Sequence, residues 1–119
     1  MTSIVFDTSF LVNAVKSKVD FFKDIKMKIG NFQTIIPSPI ISELKFLAQK
    51  NSNANVVLQL LEKQGYTLVE SDMPADLSIT KIAESTKSYV ASTDWAVRRR
   101  SLKNGLKLIT LRGGKHIEL

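Results

Sequence analysis

Four acidic residues occupy positions from which their carboxylates could act together. Asp7 directly follows a short apolar stretch, and Asp94 follows another after Ser92 and Thr93. Glu43 and Asp76 lie near the beginning of two predicted helices. Carboxylate oxygens are the ligands that Mg²⁺ and Mn²⁺ prefer, and these ions orient a phosphate and activate water for phosphodiester hydrolysis. Carboxylates gathered at one place repel each other, and a shared cation would offset that repulsion. We therefore expect all four acids to serve as metal ligands in a catalytic site.

Each of these acids also has a purely structural explanation. Asp7 and Asp94 could be helix N-caps, because aspartate is among the residues favoured at that position. Glu43 lies at the boundary of the apolar face of its helix, from which it could lean over the end of a sheet or simply face solvent. Asp76 falls near the apolar face of its helix, so its carboxylate is predicted to point toward the core. The sequence leaves these alternatives open.

Hydroxyl groups flank two of the acids. Thr8 and Ser9 follow Asp7, and Ser92 and Thr93 precede Asp94. These side chains could bind phosphate or water at the metal, and turn or cap roles explain them equally well. We predict Thr8, Ser9 and Thr93 as supporting residues.

Positive charge is concentrated in the last third of the chain. The net charge is +6, yet residues 87–115 alone carry +7, from eight Lys and Arg against one acid. Such a region favours a polyanion as partner. The cations predicted to contact nucleic acid are Arg98, Arg99, Arg100, Lys103 and Arg112. The alternatives are a solvated helix face and pairing of Arg98 with Asp94 four residues earlier.

Trp95 could stack on a base or pack against the helix, and His116 is expected to be an exposed strand residue.

Strands and helices are predicted to alternate along the chain. The predicted strands are 3–6, 34–36, 66–69, 89–91 and 106–111. The first two helices are predicted around 10–15 and over 19–29. The third is predicted to begin after Ser38 as N-cap, with Pro39 in its first turn. The other three are predicted from 56 to Gly65, over 76–87 and over 95–104. A polar break at 51–55, a Gly113–Gly114 turn and a short tail, 116–119, complete the prediction. Alternation of this kind predicts an α/β fold with a mostly parallel sheet of about five strands and helices on both faces. Sites in such sheets lie at the carboxyl ends of the strands, where Asp7 and Asp94 both fall.

Length and composition limit the remaining possibilities. The 119 residues are predicted to form one domain. The absence of cysteine excludes thiolate zinc sites and disulfides, and a single histidine excludes a multi-His metal site within the chain. No strand is followed by a glycine-rich nucleotide-binding motif. The sequence shows no membrane span or signal peptide, so we expect a cytoplasmic protein that does not contact a membrane.

Four segments resemble the PIN-domain ribonucleases in order and spacing. They are VFDTSFLV at 5–12, PSPIISEL at 37–44, ADLSI at 75–79 and VASTDWAVRRR at 90–100. The resemblance implies a three-layer α/β/α sandwich, cleavage of single-stranded RNA with Mg²⁺ or Mn²⁺, and homodimers. It also implies that Asp7, Glu43, Asp76 and Asp94 bind the metal, with the hydroxyl of Thr8 or Ser9 beside the first acid.

The C-terminal part of the chain is most similar to one branch of this family. The arginine-rich helix followed by LITLRGG at 108–114 resembles archaeal PIN proteins related to the eukaryotic small-subunit rRNA-processing nuclease. The resemblance implies rRNA precursors as substrate and pre-ribosomal proteins as partners. Members of this branch often have two adjacent aspartates in the third segment, and here Leu77 occupies the second position.

Three other functions compete with rRNA processing. The protein could be the toxin ribonuclease of a toxin–antitoxin pair, with an antitoxin as partner. It could also be a catalytically weak RNA-binding module, a reading that Leu77 favours. A phosphoacceptor receiver domain fits less well, because receivers carry paired acids after the first strand and here Thr8 follows Asp7.

Overall fold

A computed structural model describes residues 1–113 and 115–119 of the chain. The strands are β1 (Thr2–Phe6), β2 (Phe32–Pro37), β3 (Thr67–Val69), β4 (Tyr89–Ala91), β5 (Leu108–Arg112) and β6 (His116–Glu118). The helices are α1 (Thr8–Lys16), α2 (Phe21–Ile29), α3 (Ser38–Ala48), α4 (Ser52–Gln64), α5 (Ala75–Thr86) and α6 (Trp95–Lys103). The predicted α/β alternation is confirmed, and α1 and α2 separate β1 from β2 just as α3 and α4 separate β2 from β3.

The strands form one sheet in the order β3-β2-β1-β4-β5-β6. Strands β1 to β5 are parallel to their neighbours, and β6 runs antiparallel to β5. Strand β6 comes from the predicted tail and extends the expected sheet by one strand. Ile117 explains the addition, because it pairs with Leu111 and is buried. His116 is an exposed strand residue, as predicted.

Strand β1 lies at the centre of the sheet because its sequence is apolar on both faces. Ile4, Val5 and Phe6 are fully buried, as expected for a parallel strand covered by helices on both sides. From β1 the chain builds the sheet outward on one side through β2 and β3, then returns to the other side as β4. The carboxyl ends of β1 and β4 therefore flank the point where the order of strands reverses, the usual location of a binding crevice in such sheets.

Aromatic packing fixes the helices that follow β1. The ring centroids of Phe10 and Phe21 each lie 5.8 Å from that of Phe6, and those of Phe10 and Phe21 are 5.8 Å apart with perpendicular planes. Such tilted arrangements are favourable for aromatic pairs. They hold α1 and α2 against the strand that ends at Asp7.

Two predicted helix starts differ from the structure. Helix α4 begins inside the predicted polar break, because the Asn51 side chain accepts a hydrogen bond from the Asn53 N–H (2.9 Å) and caps the helix. Ser38 is the first helical residue of α3 rather than its cap, and Pro37 occupies the N-cap position. The Ser38 hydroxyl instead accepts a hydrogen bond from the Ser71 N–H (3.0 Å), which ties α3 to the segment before α5.

Two further sequence predictions concern the chain end and the membrane. Gly113 lies in a turn with φ 58°, and Gly114, the second residue of the predicted turn, is outside the described residues. Within the described part of the chain, no helix has the length and apolar character needed to cross a bilayer.

Candidate active site

Asp7 lies where β1 ends and α1 begins. Its backbone N–H donates to the Ala91 carbonyl (2.9 Å), which extends the pairing of β1 with β4 to the end of both strands. Asp7 occupies the N-cap position of α1, yet its side chain makes no capping hydrogen bond. Its Oδ2 atom instead accepts hydrogen bonds from the hydroxyls of Ser92 (2.7 Å) and Ser9 (2.9 Å). The capping explanation for this carboxylate is therefore wrong.

Backbone groups orient both of these hydroxyls. The Asp94 N–H donates to Ser92 Oγ (3.0 Å), and the Thr93 N–H donates to Ser9 Oγ (3.2 Å). A hydroxyl has one proton, so each serine that accepts from the loop between β4 and α6 directs its proton at Asp7. The two serines thus hold the loop and the carboxylate in one hydrogen-bonded network.

Burial raises the pKa of Asp7. The residue is only 7% exposed, and desolvation of the carboxylate is the largest cause of the rise. The hydrogen bonds from Ser92 and Ser9 oppose it, and the negative charges of Glu43 and Asp94 add to it. Among the described residues none donates to the second carboxylate oxygen, Oδ1, and this atom is not closed off from solvent. One oxygen of a poorly solvated carboxylate thus remains available to a cation.

The charges of Glu43 and Asp94 act on Asp7 from two different helices. Glu43 is exposed on α3, which follows β2, and its charge acts on Asp7. Asp94 caps α6, which follows β4, because its Oδ1 accepts from the Val97 N–H (3.0 Å). Capping uses one oxygen of this exposed carboxylate, so the structural role of Asp94 and its electrostatic effect on Asp7 coexist.

Asp76 does not point toward the core, so that prediction is wrong. Its side chain is 52% exposed, and its Oδ2 lies 3.6 Å from Nη1 of Arg100, an ion pair between α5 and α6 that is too long for a hydrogen bond. The first turn of α5 extends beyond the core, as the exposure of Leu77 also indicates, although Ile79 is fully buried. The apolar face that Ile79 and the later turns of α5 form therefore does not extend back to Asp76.

Glu43 and Asp94 act electrostatically on Asp7, but the acids are not gathered into a closed cage. Within residues 1–113 and 115–119, no three or more His, Cys, Asp or Glu side chains are close enough together to hold a metal ion. The donors near Asp7 are nevertheless all oxygens, as Mg²⁺ and Mn²⁺ prefer. A cation at Asp7 would also offset the charges that raise its pKa. The chemistry of the donor set therefore fits a hard divalent ion.

Other predicted supporting residues have different surroundings. Thr8 is buried, and its hydroxyl has no hydrogen-bond partner among the described residues. Thr93 Oγ1 accepts from Nδ2 of Asn13 (2.9 Å). Sequence reasoning did not select Asn13, which looks like any polar residue on the outer face of α1, and it left Ser92 out of the supporting set although it named this serine beside the site.

The basic residues of α6 differ in their exposure. Arg99 is exposed, whereas Arg98 and Arg100 are half-buried. The expected pairing of Arg98 with the Asp94 carboxylate is absent from the described residues; its backbone N–H donates to the Asp94 carbonyl (3.0 Å) instead. Lys103 is exposed on the same helix. Arg112 is also exposed and lies 3.7 Å from Glu118 at the edge of the sheet. Their contacts with RNA remain predictions.

Comparison with known proteins identifies the family. The family model described as PIN like domain matches residues 4–114. Ribonuclease VapC4 of Methanocaldococcus jannaschii is 28% identical over 127 aligned residues, covering all of this chain and 97% of that protein. The PIN domain endonuclease Utp24 superposes with a TM-score of 0.81 at 18% identity, covering 98% of this chain and 90% of that one. VapBC2 from Rickettsia felis, bound to a DNA fragment from its promoter, superposes with a TM-score of 0.67 at 14% identity. The match covers 93% of this chain and 100% of that one.

The solved structures support the fold, and the family model spans nearly the whole chain. The expected three-layer sandwich is confirmed. The chain therefore belongs to the PIN-like domain family.

Proposed function

We propose that this protein is a Mg²⁺- or Mn²⁺-dependent endoribonuclease that cleaves single-stranded RNA. Asp7, Glu43 and Asp94 are the central metal ligands, and Asp76 is the fourth acid of the site. The observation that carries this proposal is the electrostatic field at Asp7. The buried carboxylate of Asp7 lies at the point where the strand order reverses, and its pKa is raised. The negative charges of Glu43 and Asp94, on two different helices, contribute to that rise. Perturbed acids in such a crevice favour a catalytic site over a structural one.

The residues of the chain would divide the work. Ser9 and Ser92 orient Asp7 and favour its ionised form, because each donates a hydrogen bond to its Oδ2. A divalent ion, when bound, supplies positive charge that activates water and stabilises the negative charge developing on the phosphate. Arg100 of α6 forms an ion pair with Asp76 of α5 and so connects the fourth acid to the basic helix. The exposed cations of α6 would hold the RNA backbone.

Cleavage of an unstructured RNA oligomer in Mg²⁺ or Mn²⁺ tests the proposal. We expect Asp7→Asn and Asp94→Asn to lower the cleavage rate at least about 100-fold, since removing one electrostatic group from a catalytic site has an effect of this size. Asp72→Asn is the matched control, because Asp72 is exposed and outside the proposed set. The products are expected to carry 5′-phosphate and 3′-hydroxyl ends.

Two results would contradict the proposal in different ways. Folded Asp7→Asn and Asp94→Asn variants that cleave as fast as the parent would exclude these acids from catalysis. RNA binding by calorimetry without any metal binding would instead favour the weak RNA-binding module, for which the Asp76–Arg100 ion pair and Leu77 are the structural arguments.

The biological substrate has two candidates. Cleavage of rRNA precursors, with pre-ribosomal proteins as partners, is favoured by the C-terminal resemblance and by the similarity to Utp24 along 98% of the chain. The toxin role, with an antitoxin as partner, is favoured by the 28% identity to ribonuclease VapC4. Induced expression in a bacterial host separates them. A toxin arrests growth with the parent chain but not with Asp7→Asn, whereas a precursor-specific enzyme leaves growth unchanged. A homodimer in either role is tested by sedimentation.

A further inference from the structure

An exposed indole lies directly beside the candidate acids. Trp95 is the first residue of α6 and follows Asp94 in the chain. It is 68% exposed, whereas most of the other aromatic side chains, such as Phe6 and Phe10, are buried or half-buried. A ring that packed against the helix or the core would be buried, so packing does not explain Trp95.

Arg99 covers one face of this ring. Its guanidinium carbon lies 5.2 Å from the ring centroid of Trp95, one helical turn away. This is a cation–π distance, and the contact restricts the rotation of both long side chains. Most of the indole nevertheless remains exposed to solvent. Trp95 and Arg99 thus form a flat, positively charged surface, which we call the Trp95–Arg99 platform.

The chemistry of the platform indicates its ligand. A flat apolar ring recognises another flat ring by stacking, and the guanidinium and the neighbouring Lys103 attract a negative charge. A nucleotide combines these features, because its base is planar and its phosphate is anionic. The nearest acid, Asp94, belongs to the proposed cleavage site, so a base on the platform would come from a nucleotide close to the scissile phosphate.

We propose that the Trp95–Arg99 platform stacks one unpaired base of the RNA substrate. The position of this base next to the scissile bond rests on the proposed function. The stacking itself does not, since it needs only RNA binding. A base within a duplex is already stacked between its neighbours, so the platform selects RNA in which at least one base is free.

Fluorescence provides a direct test because Trp95 is the only tryptophan of the chain. Metal-free protein in a chelator is titrated with a short oligoadenylate and with an abasic oligomer of the same length. We expect the oligoadenylate to quench the tryptophan emission and the abasic oligomer to leave it nearly unchanged. Labelled oligomers measure affinity independently by anisotropy.

Variants separate stacking from charge. Trp95→Ala should weaken oligoadenylate binding about 5- to 150-fold and leave abasic binding within about twofold, while Trp95→Phe retains most of the affinity. Lys103→Ala should weaken the binding of both oligomers to the same extent. Tyr66→Ala is the aromatic control, because Tyr66 is also exposed but precedes β3, the edge strand three positions away from β4 in the sheet.

The absence of quenching by oligoadenylate would overturn the proposed stacking. An equal loss of affinity for both oligomers in Trp95→Ala would overturn it as well. These measurements contain no metal, so an inactive protein that shows base-dependent quenching would refute the nuclease and support the platform. An active nuclease in which Trp95→Ala cleaves at the parent rate and no quenching occurs would refute the platform and leave the nuclease.

Discussion

Replacing Ser92 by alanine removes the shortest hydrogen bond to Asp7. Ser92 is fully buried, and its hydroxyl donates to a carboxylate (2.7 Å) while it accepts from the Asp94 N–H. A hydrogen bond to a charged group contributes about 1.5–3 kcal/mol, and the freed N–H belongs to an exposed residue that water can reach. We therefore expect Ser92→Ala to lower the free energy of unfolding at pH 7 by about 2–3 kcal/mol.

The effect should depend on pH in a defined direction. The Ser92 hydrogen bond lowers the pKa of Asp7, against the larger effect of burial, so the variant has a still higher pKa in the folded state. The loss of stability should be small at about pH 3.5, below the ordinary value of 3.8, where both proteins carry a protonated Asp7. It should grow as the pH rises through the folded-state pKa of the parent and then that of the variant.

Thermal unfolding in a chelating buffer measures this difference. For a chain of this size about 2–3 kcal/mol corresponds to a Tm lower by roughly 6–15 °C. Ser101→Ala is the matched control, because Ser101 is equally buried but its hydroxyl donates to the Val97 carbonyl of its own helix (2.8 Å). Its Tm should change little. Equal losses for Ser92→Ala at pH 3.5 and pH 7, or a loss no larger than that of Ser101→Ala, would refute the argument.

Further substitutions test the site and the fold. Asp7→Asn should raise the Tm of the metal-free protein at pH 7 but not at about pH 3.5, because the raised pKa means that ionised Asp7 destabilises the folded state as the pH increases; a less stable variant at pH 7 would contradict this. Leu44→Ala on α3 should lower the free energy of unfolding in urea by about 2–5 kcal/mol, since the side chain is fully buried; a loss below about 1 kcal/mol would show that the core collapses around the cavity. Gly65→Ala should lower the free energy of unfolding by about 1–3 kcal/mol in the same assay, because alanine is strained at a φ of +82°. No atom lies near the new methyl group, so the loss reports backbone strain alone, and Gln64→Ala should be nearly neutral.

Most of the fold follows from local sequence patterns. Strand 89–91 and the stops at Gly30 and Gly65 were predictable because an apolar run and a glycine act locally. The first turn of α4 was not, because Asn51 looks the same in a loop as in a helix cap. Strand β6 was predicted only at His116, because its three residues join the sheet through pairing with β5, which no local pattern shows.

The candidate site was predictable in its acids and less so in their surroundings. Asp7 and Asp94 stand at strand ends, and the βαβ rule alone brings such positions to one edge of the sheet. The orientation of Asp76 was not predictable from helical spacing, since it depends on how far α5 extends past the core. The central place of Ser92 depends on a contact with Asp7 across 85 positions of sequence, which no local pattern encodes.

That long separation has a consequence for how the protein matures during translation. Strand β1 is made well before its neighbour β4, and the serine that orients Asp7 is made 85 residues after that acid. A nascent chain that ends before β4 lacks one flank of its central strand and must keep apolar surface exposed or shielded by chaperones. The hydrogen-bonded network around Asp7 therefore cannot close until the segment that leads into the basic helix has been made.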